Sequence, residues 1–289
     1  MVRRDALAGT MRLAWPHLDA ESLSLWEPIP VGVDEHAHTV AISLVERNLL
    51  LGGEPGAGKS VAQSLLIATA ALDPQTDLWL LDGKRVELAV WRDCARAFVG
   101  PNVNEAIDVL RTLQQEMETR YELLLDQRRR KVLGDGLRLH LVGCDELAFY
   151  TSGGERKARE EFNGLSTDLI RRGRAAGIIW IGATQKPSSD VVPTSLRDLV
   201  GYRWALRCST RAASDTILGA GMATAGFTAS DIAGDQRGVG LLIAEGELPV
   251  RLRSYYLSDA DLDMLAARAR ALRGEGAAVI PLDVKRKGA

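Results

Sequence analysis

Cysteine is scarce: Cys94, Cys144 and Cys208 are the only three, far apart and odd in number. That excludes a disulfide framework and a zinc site of the usual spacing, and makes a reducing cytosol the natural compartment. Histidine is little better supplied, with four residues. His36 and His38 flank Ala37 in an expected turn with no further ligand near in sequence, so a solvated turn is the expectation there. His140 falls inside an apolar run and reads as a packed strand residue. Long hydrophobic runs are also missing. A membrane helix needs about 18 apolar residues, whereas the best stretch, residues 61–72, is interrupted by Gln63 and Ser64. The first residues, MVRRDALAGTMRLAWP, lack the apolar core of a secretory signal. The expectation is a cytoplasmic chain, recruited to a membrane only by a partner. An excess of either charge is absent too: 36 Lys and Arg stand against 38 Asp and Glu, a net charge of -2. Proteins that coat themselves with nucleic acid are usually basic overall, so any contact with a polyanion must be local here.

The 289 residues, 46% hydrophobic and 26% charged, suffice for a sizeable core and fit an ordinary soluble protein. No internal repeat or low-complexity linker divides them, so one elaborated domain is expected over residues 28–273. Residues 1–27 read as an irregular lead-in and 274–289 as a loose tail. Alternation at Ile29, Val31 and Val33, then at Val40, Ile42 and Leu44, across the polar link DEHAH, predicts a hairpin. Four short apolar runs follow: LLL ending in Gly52, LWLL ending in Asp82, LRLHLVGC ending in Asp145 and Glu146, and IIWIGA ending in Thr184 and Gln185. Helical stretches separate them, which predicts a βαβ series and a mostly parallel sheet flanked by helices. The spacing of Ile107, Leu110, Leu113, Met117, Tyr121 and Leu124 predicts a long helix over residues 104–130, capped by Asn104 and closing in a basic run at 128–131. The runs VGLLIA and LPVRLRSYYL predict a further pair of strands. Ser258 with Asp261 predicts the capping box of a last helix.

In α/β sheets ligands collect beyond the carboxyl ends of parallel strands. There the first run gives way to GEPGAGKS, which fits G-x-x-x-x-G-K-[ST], the Walker A pattern: Gly53, Glu54, Pro55, Gly56, Ala57, Gly58, Lys59 and Ser60, with Val61 opening the helix. A small-residue loop lets backbone N–H groups point inward at phosphate oxygens, and the following helix adds its positive end. Lys59 is expected on the outer phosphates and Ser60 on Mg2+. Asp145, ending another strand, suits the same metal, and Glu146 suits a general base that activates water against the terminal phosphate. Gln185 can present a polar group to that water. Arg171, Arg172 and Arg174 close a helix whose Phe162, Leu165 and Leu169 face inward. They suit either its dipole or a finger reaching a neighbouring subunit's site.

Together GEPGAGKS, LLDGKRVELAVW, EMETRYELL, DELAFY, RAAGIIWIGATQKPSSDVV and SDTILG resemble the FtsK/SpoIIIE family of ring-shaped DNA-translocating ATPases, over roughly residues 28–257. Within it the compact chain is most similar to actinobacterial plasmid and integrative-element transfer proteins. The resemblance implies a RecA-like P-loop ATPase fold, ATP and Mg2+ as ligands, and homohexamers around double-stranded DNA with hydrolysis at subunit interfaces. It implies a role in conjugal transfer or chromosome segregation. It places Lys59 and Ser60 in the nucleotide loop, Asp145 and Glu146 at the metal and base positions, and Gln185 at the polar sensor. Arg174 matches a basic residue of the R-A-A-G stretch, with Arg171 a second candidate for acting in trans. Asp82, Lys84 and Glu87 match a signature to which no role is assigned. Many members carry N-terminal membrane helices and a C-terminal winged helix, and neither is seen in this chain, so anchoring and sequence-specific loading are expected from partners, one of them membrane-anchored. The flexible stretch 151–160, with Arg156, Lys157 and Arg159, is the expected DNA contact inside the pore. Two other readings use the same loop: a motor for polypeptide, as in type VII secretion, and a nucleotide-gated scaffold without turnover.

Overall fold

The apolar runs that punctuate the chain become strands covered on both faces. The structure, a computed structural model, describes residues 7–134, 136–244 and 246–274. It opens with β1 (Ile29–Asp34), β2 (Thr39–Ile42) and β3 (Leu49–Gly52). The middle of the chain forms α1 (Lys59–Ala71), β4 (Thr76–Asp82), β5 (Ala97–Val99), α2 (Val103–Asp126), β6 (Leu139–Asp145), α3 (Leu147–Ser152), α4 (Arg156–Arg172) and β7 (Ile178–Thr184). The rest forms α5 (Thr194–Arg197), β8 (Tyr202–Leu206), α6 (Arg211–Leu218), β9 (Val239–Ile243), β10 (Val250–Ser254) and α7 (Asp259–Arg273). The tail expected after Gly274 lies outside the described residues. Among the described residues no helix is long and apolar enough to cross a membrane.

Ten strands form one sheet in the order β2-β1-β10-β9-β8-β3-β7-β6-β4-β5. From β8 to β5 every pairing is parallel. The other four strands extend the β8 edge in antiparallel fashion. The expected hairpin is β1–β2 and the expected late pair is β9–β10. Because β1 bonds to β10, hairpin and late pair belong to the same sheet as the parallel strands. The strands β5 and β8 have no counterpart among the four runs, since β5 is three residues long and β8 is broken by Arg203.

Successive residues of the central strands feed opposite cores. Leu49, Leu51, Leu78, Leu80, Ile179 and Ile181 pack with α1 and α7, whereas Leu50, Trp79, Leu81, Val142 and Trp180 pack with α2 and α4. Burial on both faces explains why these strands read as continuous apolar runs rather than alternating ones. For the same reason α1 is apolar nearly all round: the sheet lies under it and α7 over it. The Ser258–Asp261 capping box that starts α7 is present.

Two boundaries differ from expectation. The cap of α2 is Asn102, whose side chain accepts the N–H groups of Asn104 and Glu105, so the helix begins earlier than Asn104 would allow. It ends at Asp126, and Arg128 has a left-handed φ of 54°. The basic run 128–131 therefore follows the helix directly, with the Arg128 and Arg129 N–H groups on the Leu125 and Leu124 carbonyls at 3.0 and 2.8 Å.

Asn48 fastens the middle of the sheet. Its Nδ2 donates to the Ile170 carbonyl at 2.9 Å, its Oδ1 accepts the Trp180 N–H at 2.8 Å, and its own carbonyl accepts the Tyr202 N–H at 2.9 Å. One buried side chain thus ties the start of β3 to α4 and β7, and its backbone to β8. Asn48→Ala leaves two buried backbone groups unpaired, at about 1–3 kcal/mol each. The expected outcome is a loss of roughly 3 kcal/mol, read as a lowered urea midpoint with an unchanged m-value.

Candidate nucleotide-binding site

In sequence β3 is followed by β4, which lies three places away in the sheet. The chain leaves the carboxyl end of β3 without covering it, and a crevice opens there. The glycine loop fills the rim of that crevice. The Gly53 N–H donates to the Thr184 carbonyl at 3.3 Å and the Glu54 N–H to the Arg207 carbonyl at 2.9 Å, while Arg207 Nε pairs with Glu54 Oε1 at 2.7 Å. On the far side the Ala57 carbonyl accepts the Gly238 N–H at 2.9 Å. The loop is thereby pinned to β7, to the end of β8 and to the approach to β9. Gly58, with φ of 103°, caps α1 and turns Lys59 inward.

Lys59 is buried and its Nζ donates to Asp145 Oδ1, the carboxylate ending β6. Gln63, one turn further along α1, donates to the Cys144 carbonyl at 3.3 Å. Asp145 is fully buried, and its Oδ2 makes no hydrogen bond among the described residues. Beside it Glu146 has a left-handed backbone, φ 54° and ψ 64°. Its Oε1 accepts from Thr184 Oγ1 at 3.1 Å and from the Gln185 N–H at 3.3 Å. Lysine, both acids and the end of β7 therefore converge on one crevice. Cys144, a neighbour in sequence, is not a nucleophile: burial pushes its thiol well up from its ordinary range.

A cavity of about 520 Å³ opens from the loop. Glu54, Gly56, Gly58, Lys59, Ser60, Val61 and Gln185 line one side of it. The facing wall comes from residues to which the sequence reading gave no part in the site: Thr10, Met11 and Arg12 of the N-terminal segment, with Gly238, Ser254, Tyr255 and Tyr256. The Arg12 guanidinium lies over the Tyr256 ring, 4.4 Å from its centroid. This segment is irregular and tightly held. Arg253, buried in β10, donates to the carbonyls of Leu7, Gly9, Met11 and Arg237 at 2.7–3.3 Å. No motif marks the contacts to Leu7, Gly9 and Met11, because they join residues more than 200 positions apart.

The remaining candidates lie elsewhere. Arg171 and Arg174 stand ahead of β7, whereas Gln185 follows it, so the length of the strand, roughly 20 Å, separates them. They line a second cavity, of about 450 Å³, with Arg47, Arg130, Lys131 and Arg172. Arg130 and Lys131 of the basic run and the arginines at the end of α4 thus come together near the amino end of β7. Arg156, Lys157 and Arg159 are not in a loop: they form the first turn of α4, with Arg156 paired to Glu160 at 2.7 Å and Arg159 bonded to the Ser152 carbonyl at 3.0 Å. The flexible part is the short link at Gly153 and Gly154. His36 and His38 sit in the β1–β2 turn, their N–H groups both on Asp34 Oδ1 at 2.8 Å. His140 is packed in β6, where it accepts the Trp79 indole N–H at 3.1 Å, and burial lowers its pKa.

A glycine loop between a buried parallel strand and a helix, its lysine on a carboxylate two strands away, defines a P-loop ATPase fold. The chain belongs to the FtsK/SpoIIIE family, whose model matches residues 17–220. DNA translocase FtsK of Streptococcus pyogenes serotype M6 is 28% identical over 287 residues, covering 89% of this chain and 33% of that protein. The Lactiplantibacillus plantarum DNA translocase FtsK is 30% identical over 270 residues, covering 81% of this chain and 31% of that one. The chain thus spans about a third of the length of these relatives. Among solved structures, the pCW3 conjugation coupling protein TcpA, in its monomer form with ATPγS, superposes with a TM-score of 0.77 at 22% identity. It covers 91% of this chain and 74% of its own. EssC (ATPases 2 and 3) from Geobacillus thermodenitrificans superposes with a TM-score of 0.72 at 16% identity, covering 91% and 51%. At these identities the likeness establishes the fold.

Gly58→Ala tests the loop. A Cβ there meets the Gly238 backbone at 3.0 Å and takes an unfavourable positive φ. A cost of about 1–3 kcal/mol is expected. Fluorescent-nucleotide titration should show at least a tenfold weaker complex, with a melting temperature lowered by only a few degrees.

Proposed function

We propose that this chain is the motor module of a DNA translocase: it hydrolyses ATP and uses the cycle to move double-stranded DNA through a ring of copies of itself. The observation that carries the reading is the contact of Lys59 with Asp145 and of Gln185 with Glu146, where Lys59, Gln185 and the free end of α1 line one cavity. The N-terminus of α1 and the loop N–H groups receive the phosphates, with Lys59 exchanging its carboxylate partner for phosphate oxygens. Glu146 accepts a proton from water as that water's oxygen bonds to the terminal phosphorus and the bond to the bridging oxygen breaks, giving ADP and phosphate. Gln185 lines the cavity beside it and can orient that water. For Mg2+ the donors are hard oxygens: the Ser60 hydroxyl at the cavity and Asp145 Oδ2, a buried atom without a hydrogen bond. When bound there, the ion offsets negative charge on the phosphates.

The arginines support a ring. Separated from their own nucleotide cavity by the length of β7, Arg174 and Arg171 are our candidates for acting on a neighbouring subunit's site in a homo-oligomer; a hexamer is the arrangement we favour. The exposed first turn of α4, with Arg156 and Lys157, follows Glu146 through α3 and is our candidate for contact with DNA phosphates in the channel. Local basic surfaces of this kind are compatible with a net charge of -2. Conjugal transfer of a plasmid or integrative element is the proposed setting, with chromosome segregation beside it and a membrane-anchored partner supplying attachment. The EssC likeness keeps polypeptide as the rival cargo.

Steady-state turnover decides between cargoes. ATPase activity should rise severalfold with long double-stranded DNA; indifference to DNA with a response to a secreted peptide would turn the assignment to polypeptide. Lys59→Ala should abolish nucleotide binding or turnover, and Glu146→Gln should retain binding while turnover falls roughly 100-fold or more. A rate unchanged in Glu146→Gln would favour the scaffold. For the trans contact, inactive Arg174→Ala mixed with inactive Lys59→Ala should regain part of the activity, because mixed interfaces pair an intact loop with an intact arginine. No recovery in mixtures removes the finger assignment.

A further inference from the structure

The Asp82–Lys84–Glu87 stretch takes no part in the chemistry above, yet its lysine lies against the catalytic acids. We propose that Lys84 is a positioning residue for Glu146, an inference that rests on the hydrolysis reading. Glu146 keeps a left-handed φ of 54°, which a non-glycine residue adopts at a cost of about 1–3 kcal/mol and only where its surroundings hold it. Thr184 and the Gln185 N–H hold one carboxylate oxygen. The other oxygen faces Lys84, whose Nζ is 3.3 Å from Glu146 Oε2, 3.9 Å from Asp145 Oδ2 and 3.8 Å from Glu87 Oε1. That Nζ is shielded from solvent and makes no hydrogen bond among the described residues. Its hold on the acids is therefore ionic, and a cation withdrawn from water is retained only by such neighbours.

The loop after β4 is built to deliver this lysine. Asp82 is fully buried and spends its carboxylate on the loop itself: Oδ1 accepts the Lys84 N–H and Oδ2 the Leu88 N–H, both at 3.0 Å. The Gly83 N–H donates to the Asp145 carbonyl at 3.2 Å. A Cβ at Gly83 would stand 3.1 Å from Phe149 Cβ and 3.2 Å from the carbonyl oxygens of both Asp145 and Glu146, a fit tight enough that these neighbours would have to give by a few tenths of an ångström. Asp82 fixes the turn, Gly83 allows the approach, Lys84 supplies the charge and Glu87 steadies it from the outer side. Lys59 meets Asp145 from the phosphate-loop side, and Lys84 takes the acids from the opposite side. Without Lys84 the Oε2 edge of Glu146 has no cation, and the carboxylate can rotate away from the attacking water.

Lys84→Met, Lys84→Gln and Lys84→Arg test this, with Gln included so that a folding defect of the Met variant does not end the experiment. Lys84→Met and Lys84→Gln should lower kcat roughly 100-fold while KM stays within about threefold. Lys84→Arg should recover at least tenfold of that loss. Fluorescent-nucleotide affinity, measured in the Glu146→Gln background where turnover is stopped, should stay within about threefold on adding Lys84→Met. The residual rate of Glu146→Gln should not fall further in the double variant. A kcat within threefold of wild type, a KM that rises in step with the fall in kcat, or independent losses in the double variant would each overturn the assignment. A wild-type protein without ATPase activity, or a Glu146→Gln variant as active as wild type, overturns the hydrolysis reading itself and Lys84 with it. The two failures are thus distinguishable.

Discussion

The buried contact between Lys59 and Asp145 is the constraint around which the molecule is organised. Lys59 follows β3 and Asp145 ends β6, with β7 between them. At about 4.8 Å per strand the pair spans roughly 10 Å of sheet. It can close only if the three strands run parallel and stop level. The registers provide that, with Gly52 opposite Thr184 and Cys144 opposite Gly182. Taking two charges out of water costs several kcal/mol per ion, and their attraction at best roughly offsets it, so the pair is poor evidence for stability. What it does is hold a flexible side chain where a phosphate oxygen can replace the carboxylate, at a cavity that Gly56, Gly58 and Ser60 also line.

Much of this was legible in the sequence, and the parts that were share one property: they are local. The glycine loop, the acids that end β6 and the polar end of β7 are each a run of a few residues whose spacing carries the chemistry. The four apolar runs mark their strands because burial on both faces leaves few polar residues to blur them, His140 in β6 being one. What escaped is non-local or short. β5 has three residues, too few for a pattern, and β8 carries Arg203 inside it. The wall of the cavity formed by Arg12 and Tyr256 depends on Arg253 reaching back across the chain to Leu7, Gly9 and Met11. No period or motif encodes such a clamp. The cap of α2 was misplaced by two residues because Asn102 and Asn104 are equally good caps on paper, and only the bonds to Asn104 and Glu105 decide.

The same locality explains why the basic segments were ambiguous. Residues 128–131 read as charge at a helix end, and Arg171, Arg172 and Arg174 as charge there or a finger. In the fold Arg130 and Lys131 line one cavity with those three arginines and Arg47. Acids accompany that cluster, with Lys131 paired to Glu46 and Arg172 to Glu118 and Asp168, while at the carboxyl ends Asp145 and Glu146 face Lys59 and Lys84.

The position of β7 gives the proposed ring a mechanical consequence. β7 carries Gln185 at its carboxyl end and Arg174 just before its amino end. The strand is hydrogen-bonded on both sides, to β3 and β6, and buried along its length, so it moves as a rigid rod or not at all. In a ring where Arg174 serves a neighbour's nucleotide, one rod touches two sites at once. In that proposed ring a shift of β7 next to Gln185 would carry Arg174 with it and so reach the adjoining interface.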